Sequence, residues 1–356
     1  LTMESNLSIS VSIPFTCGVA LAAVLAGAGL SVPAAGSASC ALCAALLTLC
    51  AVSRKWERVL LAMLLASAGA FCYFSAQLGS PAAPGPSPWL EELLAELRGH
   101  IGFIPFKEDS TSALLEALMT GDKSALPSGV LENFRKAGAS HLLALSGLHL
   151  GVLAGFLNAI LSVLGKSKAA EALRYSLVIG ASAFYTLLCG ASPSLVRALL
   201  FIVFASLSKL FPHRHPEKGG ILCTALTLQL AFDPLCITSL AFQMSYLAVA
   251  GIVFIQPVLE GWYPEDSKIA KWDPLRKIWK MLTLGISCQI TTAPLAWLRF
   301  HTFPVFFLLT NLLAMPICEL LMVVAALTLM GFSFCVDLCD RLAQLLLKVL
   351  EIIASL

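Results

Sequence analysis

The chain has 356 residues, of which 58% are hydrophobic and only 12% are charged. A soluble domain carries about a quarter of charged residues, so this composition excludes an ordinary soluble protein and predicts a polytopic membrane protein. The formal net charge of +2 excludes a strongly basic surface, so any contact with a polyanion would be a local lining. The 12 cysteines are scattered through apolar segments, and we expect small buried residues, no metal site and no cofactor.

Three apolar segments open the chain, near residues 11–30, 38–52 and 59–79. A spanning helix needs about 20 mostly apolar residues, so all three are predicted transmembrane helices, although the middle one is short. The loop 53–58 is basic, and basic loops stay in the cytoplasm. Residues 1–79 are therefore predicted to be an N-terminal group of transmembrane helices whose N-terminus is cytoplasmic.

The segment 80–138 is predicted to lie outside the cytoplasm. It opens with a proline-rich linker, which cannot be helical. Apolar residues then recur at helical spacing over 89–98, which predicts an amphipathic helix at the outer interface. Two shorter helices are expected near 110–119 and 128–137, and Gly121 is expected to stop the first of them.

The remaining apolar segments alternate with short basic loops that all fall on one side of the membrane. These segments lie near 140–164, 175–190, 194–210, 219–232, 238–257, 281–298, 303–334 and 341–356. The predicted fold is therefore an all-α polytopic membrane protein with about 10–11 transmembrane helices, short loops and an outer amphipathic-helix segment. The basic loop 258–280 is predicted to be cytoplasmic. Pro316 leaves open whether 303–334 is one kinked helix or two half-helices.

The central segment begins with unusually polar residues, among them His141, Ser146 and His149. Such groups are costly in a membrane and usually face a bundle interior or a wet cavity. The spacing of three predicts that Ser146 and His149 share one helix face, and Gly147 lets another backbone approach closely. The pair also resembles a nucleophile and base, but no third orienting group is near in sequence. Packing between helices and lining of a path remain the two stronger alternatives.

Arg197 is the strongest single candidate for a functional residue. It stands in an apolar run after Gly190, Pro193 and Ser194. Its guanidinium stays charged, and burial in a membrane costs at least about 2.5–3.5 kcal/mol, so it needs a partner or water. A phosphate is a natural ligand for this planar bidentate donor. The alternative is that the side chain snorkels to the outer headgroups.

Further polar residues and prolines fall in later apolar segments. Gln243 and Ser245 lie at the start of a span, where one is predicted to line a cavity and the other to bond a neighbouring helix. Asn311 is expected near mid-membrane, where hydrogen bonding between helices is an equal alternative to lining. Pro294 and Pro316 are predicted kinks or half-helix boundaries, which transport proteins often place along the permeation path.

Many collinear blocks of the sequence also resemble a known family. They are 117–124 (ALMTGDKS), 134–138 (FRKAG), 141–149 (HLLALSGLH), 190–198 (GASPSLVRA), 233–234 (DP), 242–246 (FQMSY), Pro294, 303–304 (FP) and 311–316 (NLLAMP). Together they cover roughly 89–330 and are similar to the ComEC family. That family supplies the inner-membrane DNA channel of natural transformation.

The resemblance implies a channel core, not an enzyme, that conducts single-stranded DNA into the cytoplasm across the bacterial inner membrane. Residues 139–356 would be the transmembrane competence domain. Its expected lining or DNA-contact residues are His141, Ser146, His149, Ser194, Arg197, Gln243, Ser245 and Asn311. The residues expected to shape its backbone are Gly147, Gly190, Pro193, Pro294 and Pro316. The implied partners are single-stranded DNA, the lipid bilayer and separate nuclease, DNA-receptor and translocase proteins, and a homo-oligomer is left open.

Two soluble domains of the family are expected to be missing here. The outer region normally holds a β-barrel domain, but about 60 residues separate the third and fourth spans and none shows strand alternation. A metallo-β-lactamase-like domain would need a His-x-His-x-Asp-His cluster, which this sequence does not contain. The alternatives that remain are a transporter of another anionic or polar solute, an intramembrane Ser/His hydrolase, and a remnant without transport.

Overall fold

The computed structural model describes residues 3–52, 57–79, 87–210, 217–263, 274–301 and 306–356. These residues are almost entirely helical and contain no strand. The helices are α1 (Met3–Gly27), α2 (Val32–Val52), α3 (Glu57–Gly79), α4 (Pro88–Phe103), α5 (Asp109–Thr120), α6 (Ser128–Lys136), α7 (Gly147–Leu161), α8 (Lys168–Leu188), α9 (Pro193–Leu210), α10 (Lys218–Phe232), α11 (Leu240–Ala250), α12 (Gln256–Glu260), α13 (Pro274–Phe300), α14 (Phe307–Leu329) and α15 (Val336–Ala354). The predicted all-α fold is confirmed.

Within the described ranges, eight helical segments are long and apolar enough to cross a membrane. They are α1, α2, α3, α7, α9, the combined α11–α12 segment, α13 and α14. The chain is therefore a multi-pass membrane protein. Helix α10 is apolar but shorter, and α8 and α15 are not among the eight. The predicted count of about 10–11 spans thus depends on α8, α10 and α15.

Several predicted loops lie wholly or largely outside the described residues. These are the basic loop 53–58, the linker 80–88 and the 303–304 block, while residues 264–273 of the basic loop 258–280 also lie outside them. The three helices predicted between residues 89 and 137 are present as α4, α5 and α6. Gly121 ends α5 with a φ of +80°, which confirms the predicted helix stop.

The chain divides into two compact units, of which the first unit consists of Leu1–Gly85 and Phe211–Ala250. Its helices α1 and α3 pack with almost no space between their backbones. A Cβ at Gly18 would lie 1.8 Å from the Ala66 carbonyl oxygen, so only glycine allows this approach. Helix α10 joins the same unit through Ser12, whose hydroxyl donates to the Cys223 carbonyl at 2.8 Å.

The second unit consists of Pro86–Leu210 and Gly251–Leu356. Its main core brings the short helices α4–α6 against α14 and α15. Helix α5 is buried on most of its surface, with eight of its 12 residues buried. A second, smaller core joins α7 to α9 through Leu150, Leu195 and Ala198.

The boundaries of three predicted spans differ from the observed helices. The central helix begins at Gly147 and not near residue 140, because Gly138 turns the chain with a φ of +71° and the residues up to Ser146 form turns. The segment 303–334 contains one continuous helix through Pro316. The segment 238–257 is interrupted by a π-helical turn, Gly251–Ile255, between α11 and α12.

Candidate functional site

The start of α7 is fixed by a reciprocal pair of hydrogen bonds. Ser146 is the N-cap, and its Oγ accepts from the Leu148 amide at 3.3 Å. His149 Nδ1 accepts from the Ser146 amide at 3.2 Å and lies 2.9 Å from Ser146 Oγ. This arrangement is a capping box with histidine in the place of the usual glutamate. Because Nδ1 accepts from a backbone amide, the proton of the neutral ring is assigned to Nε2.

The prediction that Ser146 and His149 share a helix face therefore needs correction. Ser146 has extended backbone angles, φ −118° and ψ 167°, and lies just before the helix. The two side chains meet because a cap residue folds back over the third residue of the first turn. His141 lies outside α7 altogether, in the turns that precede Ser146.

His141, His149 and Asn311 form what we call the polar cluster. His141 Nδ1 lies 3.1 Å from the Gly138 carbonyl, and a charge on His141 would act on His149. Among the described residues, His141 Nε2, His149 Nε2 and Asn311 Oδ1 are buried without a hydrogen-bond partner of ordinary geometry. The Asn311 amide lies near His141, and the Leu142 backbone lies near His149. Buried polar atoms are normally satisfied, and here the polar neighbours of the two histidines include Asn311 and the Leu142 backbone.

The polar cluster is uncharged at neutral pH. Burial lowers the pKa of His141 below its ordinary value, because an imidazolium would be poorly solvated there. The hydrogen bond to the Gly138 carbonyl opposes this effect only in part. His149 is completely buried, with no exposed surface. The cluster therefore offers neutral donors and acceptors and no fixed charge.

Arg197 supplies a permanent charge beside the same helix start. Its side chain belongs to a residue with only 8% exposure, in the second turn of α9. A Cβ built on Gly147 would lie 2.7 Å from Arg197 Nη2, so the guanidinium rests directly on the first residue of α7. Its charge also reaches Cys288 in α13. Helix N-termini carry partial positive charge, so Arg197 and the start of α7 create one locally positive site.

A tight turn between α8 and α9 fixes the position of Arg197. Gly190 has a φ of +75°, a conformation that glycine adopts freely, and Ala191 follows with a φ of +48°. The Ala191 amide donates back to the Thr186 carbonyl at 2.7 Å, which closes the end of α8. Pro193 then opens α9, where its missing amide hydrogen causes no loss. Ser194 follows within the same first turn.

The family described as Competence protein matches residues 118–356, about two thirds of the chain. The chain belongs to the competence protein family. The matched residues include the whole polar cluster, Gly147 and Arg197.

Three relatives illustrate how much of this family the chain represents. It is 26% identical to ComE operon protein 3 of Bacillus subtilis over 63% of this chain and 27% of that protein. It is 30% identical to competence protein ComA of Neisseria gonorrhoeae over 40% of this chain and 21% of that protein. It is 24% identical to the uncharacterized protein YcaI of Escherichia coli over 58% of this chain and 27% of that protein. The chain thus spans about a quarter of the length of these relatives, and no solved structure matches it.

Other predicted site residues of this competence protein are placed differently. Gln243 and Ser245 belong to α11 in the first unit, where Gln243 Nε2 donates to the Ile237 carbonyl at 2.7 Å. Asn311 lies in the second turn of α14, not near its middle. Pro294 and Pro316 lie inside the continuous helices α13 and α14 and do not divide them.

Some residues near the site were not predicted from the sequence. A Cβ at Gly285 would lie 3.6 Å from Asn311 Nδ2 and 3.1 Å from Leu308, so this glycine gives Asn311 its space. Asn158 Oδ1 and Ser192 Oγ are further buried atoms without a hydrogen-bond partner among the described residues. Asn158 could have been noticed as a polar residue within an apolar run. Nothing in the sequence singled out Gly285, because Asn311, for which it makes room, is distant in sequence.

The end of α5 packs against α8 and against the turn that precedes α7. Tyr185 in α8 donates to the Met119 carbonyl at 2.6 Å. A Cβ at Gly121 would lie 2.8 Å from Leu145, so the turn before α7 rests on this glycine. Asp122 accepts from the Ser124 amide at 2.9 Å. The short helices before α7 are thus part of the scaffold that holds the cap.

Proposed function

We propose that this chain is the membrane core of a DNA-uptake system and conducts single-stranded DNA across the bacterial inner membrane into the cytoplasm. Membership of the competence family supports a role in DNA uptake. The observation that carries the finer proposal is the buried guanidinium of Arg197 against Gly147, at the positive end of α7. A permanent cation and a helix N-terminus together favour a phosphate over neutral solutes.

In this proposal the charged and the neutral groups have different tasks. Arg197 would contact a phosphate through two parallel hydrogen bonds, which a planar fork can make and an ammonium cannot. The polar cluster would hydrogen-bond sugar, base or accompanying water without adding charge. One fixed charge and several neutral groups give contacts that are strong enough for entry and weak enough for release.

The orientation and partners are part of the proposal. Basic-loop asymmetry favours an outer position for the start of α7, and in that orientation Arg197 would meet the strand in the outer half of the path. Among the described residues, no three His, Cys, Asp or Glu side chains converge on a metal site. As part of the proposal, strand degradation and the driving force are supplied by a separate nuclease, a DNA receptor and a translocase.

Two other functions would use the same residues. A transporter of another anionic solute would need the same cation, so only a transport assay separates it from a DNA channel. An intramembrane hydrolase would use Ser146 as nucleophile and His149 as base. Their capping interaction already accounts for the proximity of these two residues, so proximity alone gives no support to catalysis.

The test compares charge and shape at position 197. Uptake would be measured with the protein in proteoliposomes, as the entry of a fluorescent single-stranded oligonucleotide that becomes protected from added nuclease. Arg197→Gln should lower uptake by about tenfold or more, which corresponds to about 1.4 kcal/mol. Arg197→Lys should recover little if the bidentate contact matters. Arg135→Gln is the matched control, because this arginine is exposed and pairs with Glu132 on its own helix.

Three outcomes are decisive. Loss of uptake at unchanged protein abundance supports the proposal. Loss of uptake in proportion to abundance identifies Arg197 as a structural group and overturns its role in the path. Uptake of inorganic phosphate or another small anion without oligonucleotide uptake identifies a transporter and overturns the DNA channel.

A further inference from the structure

The last helix carries a continuous line of polar residues. At positions i, i+4, i+7, i+11 and i+14 they fall on one face along the whole length of α15. We call this line the polar stripe; it consists of Asp337, Arg341, Gln344, Lys348 and Glu351. All of its charged members are exposed. A second exposed line beside it is apolar and consists of Leu338, Leu345 and Ile352.

Helix α15 lies along α14, which is a candidate membrane span. Cys339 contacts Thr328, so the first turn of α15 lies at the end of α14. A cavity of about 360 Å³ between α6 and α15 is lined by Phe134 and Glu351. The residue after α6, Ala137, accepts from Thr310 in the first turns of α14. Helix α6 therefore links the end of α15 to the beginning of α14, and the two helices run antiparallel along one another.

The first half of α15 is also fastened to α5. Asp340 is buried and accepts a hydrogen bond from the Thr111 hydroxyl. Gln344 Nε2 donates to Ser110 Oγ at 2.9 Å, and Lys107 pairs with Asp337 at 2.9 Å. These bonds join the start of one helix to the start of the other. Helix α15 is thus held within the bundle, unlike an amphipathic helix that lies free on a membrane surface.

The polar stripe of α15 and the apolar line beside it require different surroundings. Its exposed charges would be very unfavourable in lipid, whereas Leu338 and Leu345 beside them suit a lipid contact. We propose that the polar stripe forms the wall of a water-filled passage in the second unit, and that Arg341 and Lys348 contact passing phosphates. The phosphate assignment rests on the proposed function, while the water-filled passage does not.

The composition of the stripe fits passage more than tight binding. Its two basic residues are balanced by two carboxylates, so a polyanion meets attraction and repulsion in turn. Arg341 and Lys348 are separated by seven residues, or about 10 Å along the helix axis. They would therefore meet different phosphates of one strand. The repeated weak contacts differ from the single buried contact at Arg197.

The first experiment maps water along α15. Single cysteines would replace Arg341, Lys348, Leu345 and Ile352 in a version free of native cysteines, and a membrane-impermeant maleimide would be applied in proteoliposomes. We expect labelling at 341 and 348 and at least tenfold slower labelling at 345 and 352. Equal labelling at all four positions would show a surface helix, and no labelling at 341 or 348 would show a face covered by protein. Either result overturns the passage.

The second experiment separates the passage from its cargo. A short single-stranded oligonucleotide should slow maleimide labelling at 348 by several-fold, and inorganic phosphate at the same phosphate concentration should not. Arg341→Gln and Lys348→Gln should each lower oligonucleotide uptake several-fold, while Leu345→Ala should leave it unchanged. Labelling without protection by the oligonucleotide would overturn the phosphate contacts alone. Absence of oligonucleotide uptake in the unsubstituted protein would instead refute the proposed function.

Discussion

Adding a methyl group at position 147 would test whether the role of Arg197 depends on the contact between its guanidinium and the first residue of α7. In Gly147→Ala the new Cβ would lie 2.7 Å from Arg197 Nη2 and 3.2 Å from the Ala198 Cβ. Non-bonded carbon atoms are comfortable at about 3.5–4.0 Å, so the guanidinium has to move by about 1 Å. It can do so, because it is the end of a flexible side chain.

The expected change in stability is small. Position 147 is the first residue of α7, where the preference for alanine over glycine is smaller than the about 1 kcal/mol of a helix interior, and overpacking costs about 1–3 kcal/mol when nothing can move. Since the guanidinium can yield, these effects nearly cancel, and we expect a net change within about 1 kcal/mol. The control variants are Gly151→Ala and Gly155→Ala on the same helix, where a Cβ would meet nothing within 4 Å.

The expected change in uptake is large. A hydrogen bond to a charged group contributes about 1.5–3 kcal/mol, so loss of one arm of a bidentate contact predicts a decrease of about 10- to 100-fold. Oligonucleotide uptake by proteoliposomes would be measured together with thermal unfolding in detergent. If Gly147→Ala takes up DNA as well as Gly151→Ala does, the exact position of the guanidinium is irrelevant and the reasoning fails.

Two further predictions concern the N-cap of α7 and the loop that follows α5. Ser146→Ala should lower the free energy of unfolding by about 1 kcal/mol through loss of the N-cap and retain most uptake, whereas complete loss at normal abundance would favour the hydrolase. Hydrogen bonds from Ser124, and next the charge of Arg98, lower the pKa of Asp122. A group with a lowered pKa contributes stability that is fully present above its unfolded-state pKa, about 3.9, and is lost as the pH falls through its folded-state pKa. Asp122→Asn should therefore be less stable than the parent at pH 7, and the two should match only at a pH below that lowered folded-state pKa. A constant difference in unfolding temperature across this pH range would contradict the assignment.

The spans were predictable from local properties of the sequence. Helix α9 was predicted at 194–210 and is observed at Pro193–Leu210, and α10 was predicted at 219–232 and is observed at Lys218–Phe232. Segment length, hydropathy and helix-stopping residues can all be read from a short stretch of sequence, without knowledge of the tertiary structure. The same holds for the end of α5 at Gly121.

The start of α7 was not predictable in this way. Leu142 and Leu143 continue the apolar run before the helix, so hydropathy alone extends the span too far. In the fold they are buried in turns that belong to the main core of the second unit. The cap was also hidden, because a capping box is recognised by glutamate or glutamine at the third position and here His149 takes that place.

The sequence by itself determined that this is an all-α multi-pass membrane protein, and it singled out Ser146, His149 and Arg197 by their polarity in apolar surroundings. Only the tertiary structure decided what each of them meets. Arg197 rests on Gly147, and Asn311 lies beside His141, across separations that no periodic pattern encodes. The polar stripe of α15 is visible in the sequence, but its position alongside α14 is set by packing between the two helices. Periodicity fixes which residues share a helix face, whereas side-chain volumes and close glycine contacts fix which neighbour that face receives.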